Sequence, residues 1–166
     1  MTDRRPFLLD VALGAVAGAA ATYLMDKVTT SLYARQKAEV TRRENKARGN
    51  KTAFQVAAEK GGDLIGVDFD DEESEAIGEL IHWSLGISAG AFYGALRNVM
   101  PSLSIGSGLA YGAAFWLVMD EITVPALGLT PGPRAFPWQT HARGLAGHVV
   151  LGAAVEAVFD VADAAT

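Results

Sequence analysis

The sequence predicts an all-α integral membrane protein, a four-helix bundle with glycine-rich helix packing. Three observations carry that class. Apolar segments at about 7–25, 76–96, 103–121 and 142–160 each approach the roughly 20 residues a helix needs to cross a bilayer. Glycines recur within them at four-residue intervals. Lys and Arg are almost absent from the segments and concentrate in residues 26–75. The chain is read as one membrane domain, with 26–75 as a charged helical loop inside it.

The first segment opens on Phe7-Leu8-Leu9 and continues in small residues around Gly14 and Gly18. Arg4 and Arg5 resemble the start of a signal peptide. Asp10 interrupts the apolar run, however, and Met25-Asp26 is a poor cleavage site, so a retained helix is expected. Helical patterning then continues over 27–60, and Gly61-Gly62 is expected to stop it. Six carboxylates between Asp68 and Glu75 precede the second segment. They lack the glycine and spacing of a calcium loop and suit a solvated, acidic helix start.

The second segment carries Gly86, Gly90 and Gly94, and the third Gly108 and Gly112. In lipid, helices gain little by hiding apolar side chains from one another, so small residues that admit close backbone approach do the packing. The short link 97–102 makes segments two and three antiparallel neighbours. Four of the six prolines fall in 124–138, which is expected to be an interfacial loop over the helix ends. Gly144, Ala146, Gly147 and Gly152 line the fourth segment.

Four spans put both termini and the 97–102 link on one side of the membrane. The other side holds eleven of the 14 Lys and Arg. The positive-inside rule places 26–75 in the cytoplasm and the termini in the periplasm. The chain has no cysteine, which excludes disulfides, thiolate metal sites and cysteine nucleophiles. The net charge of −5 argues against nucleic acid.

Ionisable groups in a bilayer are costly and seldom accidental. Glu79 and His82 sit near the start of segment two, Asp120 and Glu121 at the end of segment three, and His141 and His148 at the start of segment four. All six therefore fall at the loop side, in a slab roughly 10 Å thick at 1.5 Å per residue. Asp26 closes segment one at the same level. Glu156 shares a stripe with His148 two turns further in, and Asp10 lies near the opposite side.

The cluster Glu79, His82, Asp120, Glu121, His141, His148 and Glu156 admits three chemistries: proton or ion handling, a metal ion, or hydrogen-bonded helix glue. Only one Glu-x-x-His unit exists, at Glu79–His82, whereas a dinuclear carboxylate site uses two. No nucleophile elbow, phosphate loop or dinucleotide fingerprint is present. No cofactor and no catalytic residue are assigned, and a bound metal ion stays open.

Residues 77–157 resemble the YagU-type inner-membrane proteins of bacteria. Pro125, Gly128-Leu129-Thr130-Pro131, Pro137-Trp138, Gly147-His148 and Glu156 carry the resemblance in order and spacing. The front of the chain, with Met25-Asp26-Lys27 and the basic loop, departs from it. The resemblance implies a small multi-span protein of the bacterial cytoplasmic membrane, loosely linked to acid tolerance, with no established mechanism. It adds weight to His82, His148, Glu156 and the proline-rich loop.

The expected function is proton- or ion-handling of a transport-like kind through the His/carboxylate cluster. The alternative is a structural or assembly subunit that binds partners through 26–75. Membrane lipid is the expected surrounding. A second copy of the chain or another membrane protein is the expected partner.

Overall fold

The computed structural model describes residues 5–165, and Arg4 lies outside them. The described chain is all-helical. Helix α1 (Phe7–Ala34) begins behind Pro6 and runs nine residues past the apolar segment. Helix α2 (Ala38–Arg48) is polar and ends at Gly49. Helix α3 (Ala53–Ile65) starts with a capping box, in which Thr52 accepts from the Gln55 N–H and Gln55 accepts from the Thr52 N–H. Gly61-Gly62 does not stop it. Gly62 lies buried beneath Phe69, where a side chain would not fit, and the helix ends at Gly66.

Helix α4 (Asp71–Leu96) has a second capping box, from Asp70 and Glu73. The acidic run 68–75 thereby supplies its N-terminus, as its charge suits the helix dipole.

The third apolar segment departs most from expectation. Residues 103–121 are not one helix. A short 3₁₀ turn (Pro101–Ser104) leads into Gly106, Ser107 and Gly108, all at positive φ, where a right-handed helix cannot propagate. Regular helix α5 therefore starts at Leu109 (Leu109–Trp116), with Gly108 as its N-cap at φ 82°. The rod then widens into a π-helical segment, Leu117–Thr123, and closes in α6 (Val124–Ala126). Pro125 thus sits inside the helical rod rather than in a loop. The chain turns at Gly128, forms a 3₁₀ turn (Pro133–Ala135), and enters α7 (Trp138–Ala164) behind the buried Pro137.

Helices α4 and α7 pack against the two sides of α1, both antiparallel to it, and α5 packs antiparallel against α7. The α1–α4 contact is backbone on backbone. A side chain on Gly14 would overlap the Gly90 carbonyl, and one on Gly90 would overlap the Gly14 carbonyl. Gly86 admits Thr22, whose hydroxyl donates to the Gly18 carbonyl at 2.8 Å. Gly94 lies against the Asp10 carbonyl. Between α5 and α7, Gly108 and Gly112 meet Gly152 and the His148 carbonyl in the same way.

The buried apolar core is small: Ala17, Ala21, Tyr93, Tyr111, Leu151, Val155 and Phe159. Tyr111 donates to the Ala89 carbonyl at 2.7 Å, tying α5 to α4. Helices α1 and α7 are long and apolar enough to cross a membrane. Helix α4 is long enough, but acidic residues and His82 dilute its first half.

Candidate functional site

Polar side chains gather at the two ends of the packed helices. The end that carries α2 and α3 holds all three histidines, and each has its own carboxylate. His82 on α4 meets Asp26 of α1, Nε2 to Oδ1 at 2.9 Å. His141 on α7 meets Glu121 of the π segment at 2.6 Å. His148 on α7 lies 3.7 Å from Asp120.

The pairings are chemically distinct. His141 faces two acceptors, Glu121 at Nδ1 and the Pro133 carbonyl at Nε2, 3.0 Å away. Both bonds form together only when the ring carries both protons, or when the Glu121 carboxyl supplies one. His148 donates from Nδ1 to the Gly144 carbonyl at 2.9 Å, so that bond is not spent on Asp120. The Asp120 carboxylate accepts no hydrogen bond from any described residue, although it lies within electrostatic reach of His148, Glu121, His82 and His141. Its side chain is 39% accessible.

Two cavities explain that accessibility. One of about 160 Å³ is bordered by His82, Asp120, His148, Phe115 and Thr22. Another of about 310 Å³ is bordered by Asp120, Glu121, His141, Phe54, Trp116 and Phe136, with Thr130 and Pro131 on its loop side. Asp120 borders both. A regular helix aims adjacent residues about 100° apart. The π segment alters that register where Asp120 and Glu121 stand, and π turns inside α-helices frequently mark functional positions.

Not every predicted residue joins this group. Glu79 is exposed and makes no bond to His82, which turns across to Asp26 instead. Glu156 is buried, but at the far end. It accepts from the Tyr93 hydroxyl, which also reaches Ser104, and lies 3.9 Å from Arg97. Asp10 belongs to that end too, held by Arg5 at 3.0 Å and Asn98 at 2.7 Å. Arg97 and Arg5 both bond Asp163 there. Of the loop motif, Trp138 is exposed at the α7 start and Gly128 turns the chain at φ 65°.

Sequence reasoning missed one cluster entirely. Glu44 on α2 is fully buried and binds Arg143 of α7 at 2.5 Å, Gln36 at 3.1 Å, and Arg48. Burial and then the nearby Arg143 push the Arg48 guanidinium below its ordinary value. The cluster clamps α2 onto the end of α1 and α7. Among the described residues, no three His, Asp or Glu side chains stand close enough together to hold a metal ion.

The model of one protein family matches residues 58–157, more than half of the chain. The chain belongs to the DUF1440 family. Its members are described as proteins of unknown function. No curated protein and no solved structure matches the chain. The DUF1440 match covers the whole 77–157 stretch on which the YagU-type resemblance rests. It includes His82, Asp120, Glu121, His141 and His148 but begins after α1 and α2. Asp26 and the Glu44 clamp therefore lie outside the matched DUF1440 segment.

Proposed function

We propose that the chain crosses a bacterial cytoplasmic membrane four times and handles protons through the histidine–carboxylate group at its α2–α3 end. The observation that carries this reading is the gathering of all three histidines, each with its own carboxylate, around two cavities that share Asp120. Imidazole and carboxylate groups in contact are the side-chain types that pass protons in general acid–base chemistry. Lipid surroundings are supported by the outer faces. Val16 on α1, Phe92 on α4, Val118 on the π segment and Val161 on α7 are all exposed. Only 33% of the apolar stretch of α1 and 39% of that of α7 is buried, whereas soluble domains rarely leave large contiguous apolar patches open. The Lys and Arg of 26–75 argue for a cytoplasmic cluster end.

Reconstitution into liposomes under a pH gradient tests the reading. The parent chain should carry protons above the protein-free background. His148→Ala and Asp120→Asn should bring flux down to that background while elution from a sizing column stays unchanged. Glu79→Gln, an exposed carboxylate, should leave flux as it was. A parent chain that carries no protons at any gradient refutes the proposal.

An assembly role for residues 26–75 has one specific observation behind it. Leu64 and Ile65 at the end of α3 are 88% and 74% exposed, an apolar pair with none of the described residues over it. That reading predicts that Leu64→Asp with Ile65→Asp strips a co-purifying protein from the complex. Unchanged co-purification would count against it.

A further inference from the structure

The larger cavity has properties that proton handling does not need. Its volume of about 310 Å³ is at the lower end of the ~300–1,000 Å³ typical of small-molecule sites. Phe54, Trp116 and Phe136 give it three aromatic walls, and Val124, Pro125 and Pro131 add aliphatic surface. Such a lining suits an apolar body.

Its charges are unequally committed. Lys51 also lines it but is held by Glu59 at 2.5 Å and Asp71 at 3.1 Å, and the bond to Glu59 raises its pKa. Arg48, a further lining residue, is held by Glu44. Glu121 is held by His141. Asp120 alone among these charged groups has no hydrogen-bond partner, its nearest cationic neighbour being His148 at 3.7 Å, and Asp120 lines the cavity. Two further polar groups of lining residues, the Thr140 hydroxyl and the Trp116 indole N–H, are buried without a partner. A carboxylate with no hydrogen-bond donor of its own, on an aromatic-lined cavity, asks for a donor that carries positive charge, and aromatic faces attract cations further.

The geometry points to this cavity as the binding site of a small organic ammonium ion, with its charged head at Asp120 and its apolar body between Phe54, Trp116 and Phe136. The inference shares Asp120 with the proton reading but does not rest on it. Binding is measured without a membrane gradient, so a chain that carries no protons can still bind, and one that binds nothing can still carry them.

The test is calorimetric titration of the full chain in detergent with benzylammonium, benzyl alcohol and benzoate, the heat of empty micelles subtracted. Benzylammonium should bind saturably at one site per chain. Benzyl alcohol should bind at least about tenfold more weakly, the size expected for losing a hydrogen bond to a charged group. Benzoate should give no saturable heat. This comparison of three probes on the unaltered chain requires no substitution. Asp120→Asn should cost benzylammonium about tenfold or more and leave benzyl alcohol unchanged. The site assignment is overturned if benzylammonium shows no saturable binding, if benzoate binds as well or better, or if a folded Asp120→Asn chain keeps full benzylammonium affinity.

Discussion

Asp120 and Glu44 are two carboxylates in opposite situations. Glu44 is fully buried, and a guanidinium, an amide and a second guanidinium surround it. Asp120 borders two cavities and accepts nothing. The first pattern is that of a structural clamp, since removing one partner of a buried ion pair strands the other. Glu44→Ala should therefore cost about 3 kcal/mol and free α2, which trypsin would report as faster cleavage at Arg42, Arg43 and Arg48. Cleavage unchanged from the parent would show that α2 is held some other way.

Which groups share a level was readable from the chain, because distance along a helix fixes depth. Which groups touch was not. Glu79 and His82 satisfy the spacing for neighbours on one helix face, yet His82 reaches Asp26. That outcome depends on how α1 is rotated against α4, and local spacing holds no information about rotation. Glu44 was invisible for a similar reason. On a helix as polar as α2, nothing marks one carboxylate as the buried one until α7 brings Arg143 to it.

The glycines decide how closely the helices approach. Gly90 faces the backbone of Gly14 and Gly18 with no room for a methyl group. Gly61 on α3 has nothing within 4 Å of where one would stand. Gly90→Ala should destabilise by roughly 1–3 kcal/mol, the usual cost of overpacking. Gly61→Ala should be neutral, or stabilise by about 0.5–1 kcal/mol through lost unfolded-state freedom. Thermal unfolding in detergent measures both, and equal shifts would mean that the α1–α4 contact is looser than described. Helices α1, α4 and α7 were legible because apolar content and glycine spacing agree along each of them. The third segment was not. Gly106-Ser107-Gly108 is a turn signal set inside a long apolar run, and the positive φ angles at all three show that the turn wins there. The π segment has no sequence signature of its own, so the placement of Asp120 and Glu121 side by side at two cavities emerged only from the fold.

Taken whole, the molecule is polar at both ends and apolar between. One end holds the histidines, their carboxylates and the Glu44 clamp. The other holds Asp10, Arg5, Asp163, Arg97 and Glu156 in linked ion pairs. The layer between them is built from Ala17, Ala21, Leu151 and Val155, and large apolar side chains face outward around it. The proposed four-span arrangement calls for such banding, since charge is tolerated at the interfaces and expensive at the centre. It also makes the side of each end a measurable property. The chain contains no cysteine, so each introduced one is a unique label site. Asn50→Cys and Gly132→Cys lie at the histidine end, and Ser102→Cys at the other, all exposed. In intact cells, a membrane-impermeant maleimide should label Ser102→Cys at once, and Asn50→Cys and Gly132→Cys only after permeabilisation. Labelling of all three from the same side, or a chain that stays monodisperse in buffer without detergent, would contradict the proposed four-span arrangement.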